Sequence, residues 1–409
     1  DYCRLMSTPS LLESFQALYG DSQLAVRCFF APGRVNLIGD HIDYLGGLVL
    51  PCAIRYGTTL LARANNSDTI RLASLDIAGT TDISLHERLS KTGDSWFNYP
   101  MGVIDQWQRE NKPVTGLDIL YSGNLPPASG LSSSAALEVV TAFTLHCMGG
   151  VAAADVAAAG AAAAGATPPD LPALALLCQR AENQFVGVQC GIMDQYSSAC
   201  GREQHAMMLN CQTLDCEHIP VQLGEYELVL INSNQARGLS DSKYNERVDE
   251  TSTALTQLQT RLPIGQLTEL TPEALDSNAD LLAQHPVLLK RVRHVAGEQA
   301  RVQQAAVALT AGDITRFGEL MYASHDSLDQ NYEVSSDPLN CLVDNTRSNP
   351  AVLGARLTGA GFGGCTVNIV HSSHVDEFCH TMATDYRSAT GLDATFLRTT
   401  ACDGVRELP

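Results

Sequence analysis

Three stretches of this chain concentrate groups able to do chemistry. Residues 31–44 read APGRVNLIGDHIDY, where Arg34, Asp40, His41 and Asp43 fall within ten positions, punctuated by Gly33 and Gly39. Carboxylate, imidazole and guanidinium close together supply the acceptors and donors that a polyhydroxylated ligand needs. Each group alone would pass for part of a solvated turn. Arg34 is harder to dismiss, because an arginine beside an apolar run seldom goes unpaired. In the second stretch, Gly191-Ile-Met-Asp-Gln195, Asp194 is a lone acid in a weakly polar segment; partly desolvated there, it would need a cation partner. Glu182, in CQRAEN, is either a metal ligand or an exposed helix charge.

The third stretch is NLPPASGLSSSA, residues 124–135. A strand runs into it and a helix should leave it, so unpaired N–H groups and the positive end of the helix dipole would face an anion. Gly130 lets backbone approach closely, and Ser132, Ser133 and Ser134 offer hydroxyls for hydrogen bonding or for Mg²⁺. Serine is also a preferred helix cap, so a ligand-free cap is the plainer alternative. No Gly-Lys-Ser/Thr occurs in the chain, nor do the protein-kinase catalytic-loop and DFG signatures, so a nucleotide held here sits in another fold. A second glycine cluster, TGAGFGGC at 358–365, matches GxGxxG at Gly359, Gly361 and Gly364. An apolar strand pattern follows it rather than a helix, which excludes the dinucleotide fingerprint. It fits a turn whose backbone presses on another loop or a phosphate.

The elements that must position these groups are visible in the periodicity. An amphipathic helix is expected at 11–20, with strands at 24–31, 48–54, 58–64 and 116–122. A helix follows the serine loop with Ala136, Val139, Val140, Phe143 and Cys147 on one face. Further on come a strand at 228–232, helices at 243–262 and 286–312, a strand at 366–370 and a helix near 374–389. Strands and helices in both halves argue for an α+β protein. The 409 residues exceed what one core usually serves, so two domains are expected, with the junction near 200–225. The Ala/Pro-rich tract 151–172 reads as a surface insertion, dispensable for chemistry.

Composition narrows the class. Hydrophobic residues make up 45% and charged residues 17%, which excludes a disordered or collagen-like chain. The net charge of −19 argues against a nucleic-acid partner. The 13 cysteines are odd in number and form no CxxC pair, so free thiols in a reducing cytoplasm are expected. No signal peptide or membrane span is visible. His371, His374, Cys379 and His380 lack a recognised ligand spacing and read as a helix with polar faces.

Taken in order, GRVNLIGDHIDY, PPASGLSSSAA and TGAGFGGC resemble the three motifs of the galactokinase branch of the GHMP family of small-molecule kinases. WFNYPMGVI (96–104), AENQFVGVQCGIMDQ (181–195), INSNQARGLSDSKYNER (231–247) and ASHDSL with NYEVS (323–335) extend the similarity over nearly the whole chain. The resemblance implies a two-domain α+β GHMP-kinase fold, residues 1–210 and 211–409, with the active site in the cleft between them. It implies that Arg34 and Asp194 are catalytic and face the anomeric hydroxyl of galactose. Asp43 and Tyr244 would bind ring hydroxyls, Asp40 and His41 would lie near the sixth carbon, and Gly191 would line the sugar site. Ser129, Gly130, Leu131, Ser132, Ser133, Ser134 and Ala135 would take the ATP phosphates, Trp96 and Tyr99 would line the adenine side, and Ser134 and Glu182 would hold Mg²⁺. The implied reaction is transfer of the ATP γ-phosphoryl group to the C1 hydroxyl of α-D-galactose by a cytoplasmic monomer or weak homodimer.

Two features depart from that pattern. Galactokinases usually carry Glu where this chain has Asp40, which would set the carboxylate back by about one carbon–carbon bond, roughly 1.5 Å. The Ala-rich tract is longer than the usual connection. Asp40 keeps open a kinase for another sugar, L-arabinose or N-acetylgalactosamine. A non-catalytic galactose and ATP sensor is the alternative from another class; Ser133-Ser134-Ala135-Ala136 together with Arg34 and Asp194 argue against it.

Overall fold

The computed structural model describes residues 8–126, 129–149, 168–235 and 240–409. Most of the Ala-rich tract therefore lies outside the described residues. Its last two positions do not belong to an insertion: Leu171 and Pro172 open a helix whose first turn is capped by Asp170 accepting from the Ala173 amide.

A six-stranded sheet dominates the first half. Its core pair is β1 (Arg27–Asn36) against β3 (Pro51–Ala64), antiparallel, with a register shift between Pro32 and Arg34. β1 thus runs five residues past the expected strand end, because a bulge absorbs the Pro-Gly pair that reads as a turn. The expected strands 48–54 and 58–64 are likewise one continuous β3, preceded by the two-residue β2 (Leu48–Val49). Gly57, which reads as a break, faces Pro32 across the pair. β4 (Thr69–Ser74), β5 (Thr80–Ser84) and β6 (Leu117–Gly123) extend the sheet on one side.

Helix α1 (Thr8–Tyr19) packs on β3 and β6. On the sheet lies α3 (Ser133–Met148), with α2 (Asn98–Arg109) packed against it; α3 leaves the serine loop directly and buries Ala136, Val139 and Val140. α4 (Leu171–Arg180) continues without a break into a π-helical turn, Ala181–Val186, and α5 (Met193–Cys200) follows. β7 (His205–Asn210) and β8 (Cys216–Pro220) form a hairpin paired with β2. The expected division at 210/211 falls at the tip of this hairpin.

The second half is built on a four-stranded sheet of β9 (Tyr226–Asn232), β10 (Val352–Thr358), β11 (Cys365–His371) and β12 (Thr395–Thr399), in the order β10-β11-β9-β12. Around it are α6 (Ser240–Leu258), α7 (Pro272–Asp276), α8 (Pro286–Thr310), α9 (Ile314–Ser327), α10 (Asp337–Arg347) and α11 (Val375–Thr390). A second π-helical turn, Leu328–Tyr332, extends α9. The final strand, β13 (Arg406–Leu408), returns to the first sheet and pairs with β1, and Arg27 bridges Glu407 at 2.8 Å.

One apolar cluster runs from Phe29 and Val35 in β1 to Val292 and Val302 in α8 and Leu357 in β10, so the two halves share a core. Among the described residues no helix is long and apolar enough to cross a membrane. The cysteines among them form no disulfide.

Candidate active site

Where the two halves meet, a cavity of about 350 Å³ gathers Arg34, Asp40, His41, Asp43, Glu182, Gly191, Asp194 and Tyr244. These residues come from the end of β1 and the loop after it, the π-helical turn, the start of α5 and the start of α6. The sugar-side candidates and Glu182 thus converge on one space, although 210 positions separate Arg34 from Tyr244.

Arg34 is the hub. Its Nη2 lies 2.7 Å from Asp194 Oδ1, so the lone acid has its cation. The Arg34 side chain is 5% exposed and that of Asp194 is 31% exposed, which leaves the carboxylate as the accessible member of the pair. Arg34 also donates from Nη1 to the Gly130 carbonyl at 2.7 Å, and its backbone N–H donates to the Leu131 carbonyl at 3.2 Å. One residue therefore fixes the acid of the cavity and the serine loop relative to each other. The glycine turn closes the same corner: Gly359, at φ +82°, would place a Cβ 3.1 Å from the Gly130 carbonyl oxygen. That is the backbone-to-loop approach expected of TGAGFGGC.

In the serine loop, Gly130 and Ser132 adopt left-handed backbone, φ +74° and +62°. Ser129, Leu131, Ser132 and Ala135 are buried, whereas Ser133 is exposed and Ser134 half-buried. The hydroxyl of Ser132 is buried without a partner. Trp96 and Tyr99 do not line the cavity; Trp96 packs edge-on against Tyr121 and donates to the Gly79 carbonyl at 3.3 Å.

Behind the loop is a second acidic site. Glu182, on the π-helical turn, is buried rather than an exposed helix charge, and Ser134 hydrogen-bonds to it. Beside it is Glu138, fully buried in α3. Gln195 Nε2 spans the two carboxyl groups, 3.1 Å from Glu138 Oε2 and 2.6 Å from Glu182 Oε2. Burial pushes both acids above the ordinary carboxylate range; next in weight, each is opposed by a neighbouring negative charge, Glu182 for Glu138 and Asp194 for Glu182. Glu138 Oε1 and Gln195 Oε1 have no partner. Neither Glu138 nor Gln195 was singled out from the sequence. The available signal was spacing: Glu138 lies four residues after Ser134, on the same helix face, and Gln195 follows Asp194.

On the sugar side, burial, and after it the charge of Asp194, pushes Asp43 up to about 7. A Cβ on Gly191 would lie 2.1 Å from Asp43 Oδ2, so only glycine fits beside that carboxyl group. His41 sits at φ +65° with both ring nitrogens engaged: Nε2 is 3.0 Å from the Ala360 carbonyl and Nδ1 is 3.3 Å from Tyr44 Oη, which in turn is 2.7 Å from Tyr332 Oη. Donation from Nε2 to the carbonyl leaves Nδ1 as acceptor from Tyr44. Burial holds the ring neutral, with its pKa lowered to about 4. Tyr244 packs over His41 and Tyr44, ring centroids 5.7 and 5.2 Å away.

A cavity rich in ionisable groups, tied through Arg34 to a serine-rich helix N-terminus, is the arrangement of a small-molecule kinase, and comparison with known proteins gives the same result. The GHMP kinases N terminal domain model matches residues 98–202 and the GHMP kinases C terminal model matches 305–388. The galactokinase galactose-binding signature matches 13–64. Galactokinase of Lactococcus lactis is 39% identical over 392 residues, 95% of this chain and 93% of that one. Galactokinase of Halalkalibacterium halodurans is 40% identical over 399 residues, 97% of each. The crystal structure of the Lactococcus lactis galactokinase complexed with galactose superposes with a TM-score of 0.90 at 38% identity, covering 98% of this chain and 100% of that one. A mevalonate kinase at 19% identity, covering 93% of this chain and 99% of that one, shares the fold with a TM-score of 0.63. The chain is a GHMP kinase, a two-domain α+β fold. Within that family it belongs to the galactokinases, which are ATP-dependent sugar kinases.

Proposed function

We propose that the cavity binds α-D-galactose with its C1 hydroxyl toward Asp194, and that the serine loop presents the γ-phosphate of ATP to that hydroxyl. The observation that carries this reading is the double engagement of Arg34, which holds Asp194 at 2.7 Å and the Gly130 carbonyl at 2.7 Å. Asp194 accepts the hydrogen bond of the C1 hydroxyl, orients its oxygen for in-line attack, and takes the proton as the O–P bond forms and the bond to the ADP oxygen breaks. Arg34 pairs with Asp194 and places positive charge beside the transferring group, whose loose transition state is served by positioning and neutralisation. Asp43 and Tyr244 hold ring hydroxyls, and Asp40 and His41 face the sixth carbon. The 129–135 loop amides receive phosphate oxygens at the α3 N-terminus. Trp96 and Tyr99 belong to the adenine side.

Ser134 and Glu182 fit a Mg²⁺ ion. Their donors are all oxygen, and the adjoining Glu138 carries a buried oxygen with no partner. Among the described residues no group of three or more His, Cys, Asp or Glu side chains is placed to hold a metal ion; an ion here would take further ligands from the substrate phosphates. When bound, the ion would supply charge neutralisation on those phosphates. The 13 cysteines, odd in number and without a CxxC pair, fit a cytoplasmic setting. The test is a coupled ADP-release assay with Mg²⁺-ATP and galactose, with the product identified by phosphorus NMR. Galactose 1-phosphate is the expected product; phosphate on any other carbon would overturn the pose.

A further inference from the structure

The wall of the cavity formed by Asp40 has a partner that neither the motifs nor the family matches assign. Arg356, on β10, is among the largest fully buried side chains in the molecule. Its Nη2 lies 2.5 Å from Asp40 Oδ2, and its Nη1 donates to the Asn36 carbonyl at 2.9 Å. The other carboxylate oxygen, Asp40 Oδ1, accepts from Asn36 Nδ2 at 3.0 Å and from the Gly359 amide at 3.2 Å. The backbone is held as well: the Asp40 carbonyl lies 3.1 Å from His294 Nε2. An ionised carboxylate offers about four acceptor sites, and three are filled by the protein itself. Only 1% of the residue is exposed.

We propose that Arg356 holds Asp40 as a clasp between the two halves, and that this kinase therefore accepts galactose-configured sugars lacking the hydroxyl on the sixth carbon. The inference rests on the pose proposed above. A site built to hydrogen-bond a substrate hydroxyl rejects the analogue lacking it by ~10⁴-fold or more, because buried polar groups are then left unpaired. Here the Asp40 carboxylate stays paired with Arg356, Asn36 and Gly359 whether or not a hydroxyl arrives. What the deoxy sugar loses is at most the net worth of one hydrogen bond. Among the described residues Asp43 forms no ion pair, Arg34 being held by Asp194 and Arg356 by Asp40, so hydroxyls facing Asp43 are read more stringently.

The experiment compares kcat/KM of the whole wild-type chain, with saturating Mg²⁺-ATP, for galactose and for its 2-, 3-, 4- and 6-deoxy analogues. Calorimetric Kd values for galactose and 6-deoxygalactose separate binding from chemistry. The expected result is that 6-deoxygalactose falls no more than about tenfold below galactose in both readouts and is the mildest of the four changes. A larger loss for 6-deoxygalactose overturns the proposal, whereas failure to phosphorylate galactose itself overturns the underlying pose instead. In Arg356→Met the released Asp40 carboxylate would depend on the sugar hydroxyl, so the galactose to 6-deoxygalactose ratio should rise more than tenfold. An unchanged ratio in folded Arg356→Met contradicts the role of Arg356. If that variant does not fold, the wild-type comparison alone decides.

Discussion

The molecule treats the acids of its two adjoining sites in opposite ways. Asp194 has an arginine at 2.7 Å and is still 31% exposed, so its charge is balanced and it can be reached. Glu182 and Glu138 are buried against each other around Gln195, form no ion pair with Lys, Arg or His among the described residues, and are both pushed toward the protonated form. Ionised, a carboxylate buried there destabilises the fold unless a cation joins it. The first site thus has its counter-charge in the protein, whereas the second has none among the described residues. Under the proposed function the first would handle the proton and the second the metal and phosphate.

Several substitutions would break or sharpen that division. The largest effect is expected for Asp194→Ala, with kcat reduced by ~10²–10⁴-fold while galactose and Mg²⁺-ATP still bind; paired ADP-release and calorimetric measurements check it. Near-normal turnover would remove Asp194 from the chemistry. Glu182→Gln is expected to weaken divalent-cation affinity by about 100-fold, measured with Mn²⁺ by electron paramagnetic resonance in the presence of a non-hydrolysable ATP analogue. Gln195→Leu leaves both acids in place but removes the amide that spans them. It should cost about tenfold in cation affinity and raise KM for Mg²⁺-ATP more than it lowers kcat at saturation. A loss confined to kcat would instead assign Gln195 to the chemistry.

The smallest effect concerns Asp43. Its carboxyl is raised from 3.8 in the unfolded chain to about 7, so the folded state binds the extra proton between those values. The stability contributed by that proton is complete below pH 3.8 and lost as pH rises through 7. Asp43→Asn imitates the protonated form at every pH. Relative to wild type, the variant should gain nothing near pH 4 and ~1–2 kcal/mol by pH 8, allowing for the opening of the cavity to solvent. Thermal unfolding of the ligand-free proteins across that range reads the gap directly, and a gap independent of pH would contradict the raised value.

The residues that touch the cavity were largely legible in the sequence, and those that organise it were not. Arg34, Asp43 and Asp194 stand out because each is a charge in an apolar or glycine-punctuated stretch, which is a local signal. Glu138 sits after Ser133-Ser134-Ala135 on a helix, where a charge reads as the solvent face. Its burial follows only from the packing of α4 and α5, the helices on either side of the π-helical turn, against α3. Arg356 lies in a strand two residues before the glycine turn, and its partner is 316 positions away. The fold shows the same limit. Helices α1 and α11 and strands β9 and β11 match their patterns closely, since burial on one side or both imposes a period. The fusion of two expected strands into β3, and the return of β13 to β1, depend on pairing between distant segments, which periodicity does not encode.

The most direct measurement is divalent-cation affinity at equilibrium, without turnover, in Asp194→Ala and Glu182→Gln side by side. The expected result is that Asp194→Ala keeps the wild-type affinity to within about threefold, less than one decade or 1.4 kcal/mol, while Glu182→Gln loses it. Equal loss in both variants would contradict the separation of the two sites.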